Sequence, residues 1–317
     1  MSSYLFLPLR KFLRPKNLFL ISCLLFTLTL TVLWQLPDNN LHIISCDVGQ
    51  GDATLITYKF SQMLVDGGPG NKVLDCLSKY MPFWDRTIEM VMLTHPQDDH
   101  LAGLIPVIQR YRVEYFVTGK GGNTTAGYHE LLSQLKEKVD CCQLKVLNLY
   151  TGDQINVGGI RGEIIWPQRE WVVENLADTD VDGREVAFAN GVVLGAKSVR
   201  DPNDYSLMVR VNKGSVSFLG TGDGDSTLDP LLLASNRLSP VTILKYPHHG
   251  SKTGATKEFL QAVQPQLAVI SVGAKNRYGH PAPETLDLLN ILKIPYLRTD
   301  LSGDVEVITD GEKWWAK

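Results

Sequence analysis

The chain has 317 residues, 44% of them hydrophobic and 21% charged, with a formal net charge of −3. That composition excludes a disordered polyelectrolyte and allows a sizeable core. It also excludes a binder relying on a basic surface in bulk: with Arg10, Lys11, Arg14 and Lys16 set aside, 27 basic residues remain against 34 acidic ones, a net of −7.

Those four basic residues precede an uncharged run, residues 17–37, rich in Leu, Phe, Ile, Thr and Val. No acidic residue occurs before Asp38. The run is close to the ~20 residues that span a bilayer as a helix. Positive charge on its N-terminal side predicts a single-pass signal anchor in the cell membrane. The expected division is a cytoplasmic basic tail over 1–16, a transmembrane helix over 17–37, and a catalytic domain outside the cytoplasm over 38–317. No small-x-small cleavage site follows the run, which argues against a removed signal peptide. The five cysteines, Cys23, Cys46, Cys76, Cys141 and Cys142, include no C-x-x-C pair, so a thiolate zinc knuckle is not expected. Adjacent Cys141 and Cys142 are poorly placed to bond each other. Cys23 would sit in lipid; the other four could pair outside the cell, but buried free thiols are the expectation.

Strands are predicted over 41–47, 53–58 and 62–65, each of the first and third running into an Asp- and Gly-rich turn. A helix is expected over 72–79, where Val73, Leu74 and Leu77 share a face. The apolar run 88–93 forms the next strand, and 101–111 reads as one helix with Leu104, Ile105 and Ile108 inward. Then follow a strand over 113–118, a helix over 129–138, a strand over 145–150, and a hairpin from 154–157 and 161–166. Residues 170–202 show no sustained period and read as an insertion or long surface loop near the site. Strand-and-loop rhythm resumes at 206–211 and 215–219, joined by the turn Asn212-Lys213-Gly214. Helices are expected over 227–233, 257–263 and 283–292, and strands over 241–245, 267–272, 296–299 and 304–309. Alternation in both halves predicts helices packed on both sides of sheet.

The chemistry gathers at strand ends. Thr94-His95-Pro96-Gln97-Asp98-Asp99-His100 follows the apolar run 88–93 and holds two histidines and two aspartates within six residues. Imidazole nitrogen and carboxylate oxygen suit Zn, Mn or Fe. Asp223, His248, His249 and His280 also lie just past apolar strands, so five of the seven histidines occupy such loops; only His42 and His129 lie elsewhere.

Seven pieces occur in order: Asp47-Val48-Gly49-Gln50-Gly51-Asp52, Leu64-Val65-Asp66-Gly67-Gly68, residues 95–103, Asn203-Asp204-Tyr205-Ser206, residues 219–223, residues 247–252 and residues 276–281. With them the sequence resembles the metallo-β-lactamase superfamily, and more closely the C-terminal hydrolase domain of ComEC-type competence proteins, which take up DNA. The resemblance spans roughly residues 41 to 310. It implies an α/β (α+β) fold, the four-layer αβ/βα sandwich, with one or two divalent metal ions, Zn or Mn, at one edge. It implies His95 on a first metal, Asp99 and His100 on a second, and Asp223 bridging them. His280, or one of His248 and His249, would complete the set. Gln97 departs from the family pattern, which commonly has histidine or aspartate there, and weakens the first metal position. Asp66 would orient a ligand histidine; Asn203 and Ser206 would stabilise the site or touch substrate. Asp99 would also hold the attacking water, and His248 or His249 would protonate the leaving oxygen. The implied activity is phosphodiester hydrolysis of DNA, a nuclease tied to competence, with a separate DNA-uptake channel as partner. Two other readings are a hydrolase of a lactam, thioester or lactone, and a noncatalytic binding or scaffold domain.

Overall fold

The computed structural model describes residues 15–141, 143–176, 186–188, 192–196 and 199–317. Arg10, Lys11, Arg14 and Cys142 lie outside them. The first element is the helix Pro15–Trp34, whose 20 residues are long and apolar enough to cross a membrane and carry no buried side chain.

The rest forms two facing sheets. Across the first, the strands run Trp314–Ala316, Val305–Thr309, Leu41–Ser45, Thr54–Tyr58, Ser61–Val65, Thr87–Leu93, Arg112–Thr118 and Lys145–Leu147. Across the second they run Tyr296–Arg298, Leu267–Ile270, Ile243–Lys245, Val216–Gly220, Met208–Lys213, Ile160–Trp166 and Gln154–Val157. In each sheet a parallel group adjoins antiparallel strands. Loops at the carboxyl ends of the parallel strands therefore gather at one edge, where ligands bind in open α/β sheets.

Period-two burial explains the layering. Ile43, Ile56, Met63, Met90, Met92 and Val117 of the first sheet meet Ile164, Val209, Val211, Phe218, Ile243 and Val269 of the second in one apolar layer. The opposite face of the first sheet packs Ile44, Leu55, Leu64, Val91 and Phe116 against Leu77, Leu104, Ile108, Leu131 and Leu135 of its helices. The second sheet's outer face does the same with Leu232, Phe259, Leu260, Val263 and Leu289. The result is the expected four-layer α/β sandwich. Local signals set the helices: Lys257–Val263 starts where the Thr256 hydroxyl accepts the Phe259 N–H at 3.1 Å, and Ala126–Asp140 where the Thr125 hydroxyl accepts that of Tyr128 at 3.3 Å.

Four expectations change. The helix expected over 101–111 is two, Asp98–Leu101 and Leu104–Arg110. Gly103 separates them because it lies against the Asp66-Gly67-Gly68 turn; a Cβ on it would collide with the Gly67 carbonyl oxygen. Cys46 and Cys76 are not free: folding brings the end of the first strand to the helix Lys72–Tyr80 and joins them in a disulfide, with Cα atoms 5.9 Å apart. Cys141 is free but exposed rather than buried, while Cys23 is free and lies exposed on the apolar helix Pro15–Trp34. Within 170–202, the helix Arg169–Asn175 forms because Trp171 and Val172 bury against Trp166 and Tyr205, with Trp171 ring centroids 4.8 and 5.1 Å from those two rings. A short ribbon, Val186–Ala187 with Val193–Leu194, follows it; residues 177–185, 189–191 and 197–198 lie outside the described set.

Candidate metal centre

The strand Ser61–Val65 delivers Asp66 to the edge of the sheet in a left-handed conformation, φ 59°. Its carboxylate is buried and fully used. It accepts the Thr94 N–H and hydroxyl, each at 2.8 Å, and the His100 Nδ1–H at 2.8 Å. Burial raises the Asp66 pKa, and His100 draws it back only partly. Since Nδ1 of His100 donates to Asp66, the Nε2 lone pair points the other way, into the cluster. His95 behaves alike. Its Nδ1 lies 3.1 Å from the Thr94 hydroxyl and 3.3 Å from that of Ser206, and Nε2 has no partner among the described residues. Burial, with His100 beside it, lowers the His95 pKa to about 3, so its ring stays neutral.

The second sheet supplies the facing half. The strand Val216–Gly220 leads into Thr221-Gly222-Asp223, and Ile243–Lys245 into Tyr246-Pro247-His248-His249. His248 and His249 are both held at positive φ, 49° and 53°, which turns the His249 ring inward. The Ser271 carbonyl accepts the His249 Nδ1–H at 3.0 Å, which fixes the tautomer. His249 Nε2 then lies 3.1 Å from Asp223 Oδ2, and His100 Nε2 lies 3.3 Å from the same oxygen, neither in hydrogen-bond geometry. Asp99, a third exposed by side chain, sits at the mouth with Oδ2 3.6 Å from His249 Nε2.

Two residues not singled out from the sequence complete the cluster. Asp52 is buried, 3.5 Å from His249 Nδ1, and pairs directly with Lys245. Lys245 Nζ also donates to the Gly222 carbonyl at 2.7 Å and lies 3.5 Å from Asp223 Oδ1. Asp223 thus divides its oxygens, one toward the two imidazoles and one toward the ammonium. Burial alone would lower the Lys245 pKa, but Asp52 and Asp223 more than offset it and raise it. The only sequence signal for Asp52 was its place at the end of an Asp- and Gly-rich turn; the structure adds that Gly51 before it has no room for a Cβ beside the Asp99 carbonyl. Lys245 carried none, because a cation ending the apolar strand Ile243–Lys245 reads as a surface residue.

Asp52, His100, Asp223 and His249 present ligand atoms within 4.8 Å of one another, all from buried residues. Two imidazole lone pairs facing a carboxylate are tenable only with a cation among them. Without a metal, protons take that role. Burial opposes charge on His100 and His249, but Asp223 pushes both pKa values well above the ordinary range. The donor set of imidazole nitrogen and carboxylate oxygen fits a divalent transition metal.

The remaining expected residues fall around this cluster. The His95 ring centroid is 4.2 Å from that of His100. Ser206 touches His95 and accepts the Asp223 N–H at 3.2 Å. A β-bulge between Met208 and Val209 lies beside it. Asn203 is buried, and its backbone carbonyl accepts the Ser206 N–H in the turn. Gln97 is half-buried and acts through its backbone at the start of Asp98–Leu101, its carbonyl accepting the His100 and Leu101 N–H groups. His280 is outside the four-residue cluster, its centroid 6.1 Å from that of His248.

Among known proteins, the chain is similar to ComE operon protein 3 of Bacillus subtilis, 24% identical over 284 residues that cover 82% of this chain and 32% of that protein. It is similar to Recombination protein 2 of Haemophilus influenzae, 24% identical over 290 residues, 90% of this chain and 31% of that one. Competence protein ComA of Neisseria gonorrhoeae is 38% identical over 109 residues, 33% of this chain and 16% of the relative. The chain therefore spans about a third of the length of the first two, and these are relatives of the ComEC type. Among solved structures, the metallo-beta-lactamase fold protein YhfI of Bacillus subtilis superposes with a TM-score of 0.49 at 12% identity, covering 87% of this chain and 100% of that one. The sequence pattern of the metallo-beta-lactamase superfamily matches residues 46–274, from the first strand's end to the loop before His280, and the chain belongs to that superfamily.

Proposed function

We propose that this chain is a membrane-anchored, metal-dependent phosphodiesterase that cuts DNA outside the cytoplasm in the course of DNA uptake. The observation that carries the reading is the buried meeting of Asp223 Oδ2 with the Nε2 atoms of His100 and His249. The names of the relatives, with competence among them, favour DNA over a lactam or thioester. Asp99, His100, Asp223 and His249 would hold the ion, with His95 in reserve for a second. A divalent ion there supplies a nucleophile at neutral pH and offsets charge on the phosphoryl oxygens.

The chain's own residues do the rest. Asp66 and the Ser271 carbonyl hold His100 and His249 in the ligating tautomer. Lys245 keeps Asp52 and one oxygen of Asp223 ionised and in place. Asp99, at the mouth, accepts a hydrogen bond from the attacking water. His248, whose Nδ1 is buried without a hydrogen-bond partner among the described residues, delivers a proton to the leaving oxygen.

The proposed topology is supported by the apolar helix Pro15–Trp34 with Lys16 at its N-terminal end. The Cys46–Cys76 disulfide agrees, since such bonds persist in oxidising compartments. A reporter enzyme fused after Lys317 should be active outside the cytoplasm; activity only inside would reverse the orientation. The central test is metal content together with Mn- or Zn-dependent cleavage of single-stranded DNA, beside Asp99→Ala. Cleavage that depends on metal and disappears in the variant is expected. Bound metal with lactam or thioester turnover and no DNA cleavage would overturn the substrate. A folded protein that takes up no metal would leave a scaffold.

A further inference from the structure

A row of rings leads out of the cluster. His95 and His100 lie 4.2 Å apart by centroid, His100 and His249 5.4 Å, His249 and His248 6.3 Å, His248 and His280 6.1 Å, and His280 and Tyr278 5.8 Å. The row starts fully buried and ends at Tyr278, which is 60% exposed and lies nearly parallel to the His280 ring at 14°.

The loop that carries Tyr278 is stiff. The Asn276 side chain donates to the Gly273 and His280 carbonyls at 2.8 and 2.7 Å and accepts the Tyr278 and His280 N–H groups at 3.2 and 2.9 Å. A ring held out in advance loses little freedom when something stacks on it. Its charge also runs against the rest of the chain. Between Ser271 and Pro283 there is no acidic residue, while Lys275 and Arg277 are exposed, with no carboxylate partner among the described residues. The Arg277 guanidinium is 5.8 Å from the Tyr278 ring centroid. Buried Nδ1 atoms of His248 and His280 have no hydrogen-bond partner among the described residues; His280 ends this loop, and His248 lies between it and the metal cluster.

We propose that residues 274–280 form a docking lip for a single-stranded nucleic acid. Tyr278 stacks on an unpaired base, Lys275 and Arg277 take the flanking phosphates, and His280 and His248 receive the phosphate that leads to the metal cluster. Stacking needs an unpaired base, so the lip selects single strands over duplex. The inference rests on the phosphodiesterase reading for its direction, but its test does not require cleavage.

The test is fluorescence anisotropy of the full chain in detergent, in EDTA so that the strand stays intact. The probes are labelled oligo-dT and an abasic oligonucleotide of equal length. The wild-type protein should bind oligo-dT more tightly than the abasic strand. Tyr278→Ala should weaken oligo-dT binding roughly five- to 100-fold and remove the preference, while Tyr278→Trp retains it. Lys275→Gln with Arg277→Gln should flatten the salt dependence by about 1.4 in log–log slope, two phosphate contacts at ~0.7 each. Equal wild-type binding of the two strands, or unchanged affinity in Tyr278→Ala, would overturn the lip. Wild-type hydrolysis of bis(p-nitrophenyl) phosphate, which carries no base, reads the reaction separately. Its absence would count against the phosphodiesterase while leaving the binding result to judge the lip.

Discussion

Asp66 shows how much one side chain outside the ligand set can govern. Its two oxygens take three hydrogen bonds, and one of them decides which nitrogen of His100 faces the cluster. Asp66→Ala should weaken metal binding about 10- to 100-fold by competition titration, because His100 loses its enforced tautomer. Lys245 governs charge instead. In Lys245→Met the buried carboxylates of Asp52 and Asp223 lose their permanent counter-ion, and thermal unfolding of the metal-free protein should register about 3–5 kcal/mol of destabilisation. Adding Asp52→Asn should recover part of that loss; a double variant no more stable than the single one would contradict the pairing. Asp66 was legible in the sequence, whereas Lys245 and its partner Asp52 mark the limit of reading by sequence. His95, Asp99, His100, Asp223 and the His248-His249 pair stand out because polar ligands rarely crowd strand ends without a reason. A lone lysine closing an apolar strand looks like a surface residue until the opposite sheet brings Asp52 to it. His280 stood out equally, yet folding places it beyond His248 and outside the four-residue cluster, because only packing of the loop decides whether a histidine reaches inward.

At the scale of elements, strand and helix positions followed from period and caps, and departures came from contacts between distant segments. Lys257–Val263 matches its expectation because Thr256, Phe259, Leu260 and Val263 encode both cap and face locally. The break at Gly103 is encoded by a neighbour 36 positions earlier, Gly67, and nothing in the local pattern reveals it. The Cys46–Cys76 bond was equally silent. It closes a loop with a sequence separation of 30, and constraint of the unfolded chain over that length is worth about 3–4 kcal/mol. Reduction, or Cys46→Ala with Cys76→Ala, should lower the melting temperature, whereas reductant should leave the double variant unmoved. His42 adds a pH-dependent tie between strands, 2.7 Å from Glu306 and 2.9 Å from Asp38. Burial lowers its pKa, but the two carboxylates more than offset this and raise it. Its stabilisation is therefore full below the ordinary value of 6.5 and is lost as pH rises through the higher folded value. Melting temperature against pH should fall over that window in the wild type and flatten there in His42→Phe.

For the whole molecule, the origin of each cluster residue matters more than its identity. Asp52, Asp66, His95, Asp99 and His100 follow strands of the first sheet; Asp223, Lys245 and His249 belong to the second. Beside the cluster, that edge is stitched by polar links, among them the Leu207 N–H to the Thr94 carbonyl at 2.9 Å and the Ser271 hydroxyl to the Gly51 carbonyl at 2.8 Å. An ion seated there would rivet one half to the other. At a hundred times its dissociation constant it would add about 2.7 kcal/mol to the folded state. Chelation should then unzip the seam from the mouth inward. Amide exchange should quicken first at Gly51, Asp52 and Asp223, while the apolar layer around Met63 and Phe218 keeps its protection. Uniform acceleration through both sheets would mean that the halves do not part there. On the proposed reading, an ion held between residues of both sheets would act as a hinge pin, tying the two halves together at the edge where the chemistry would take place.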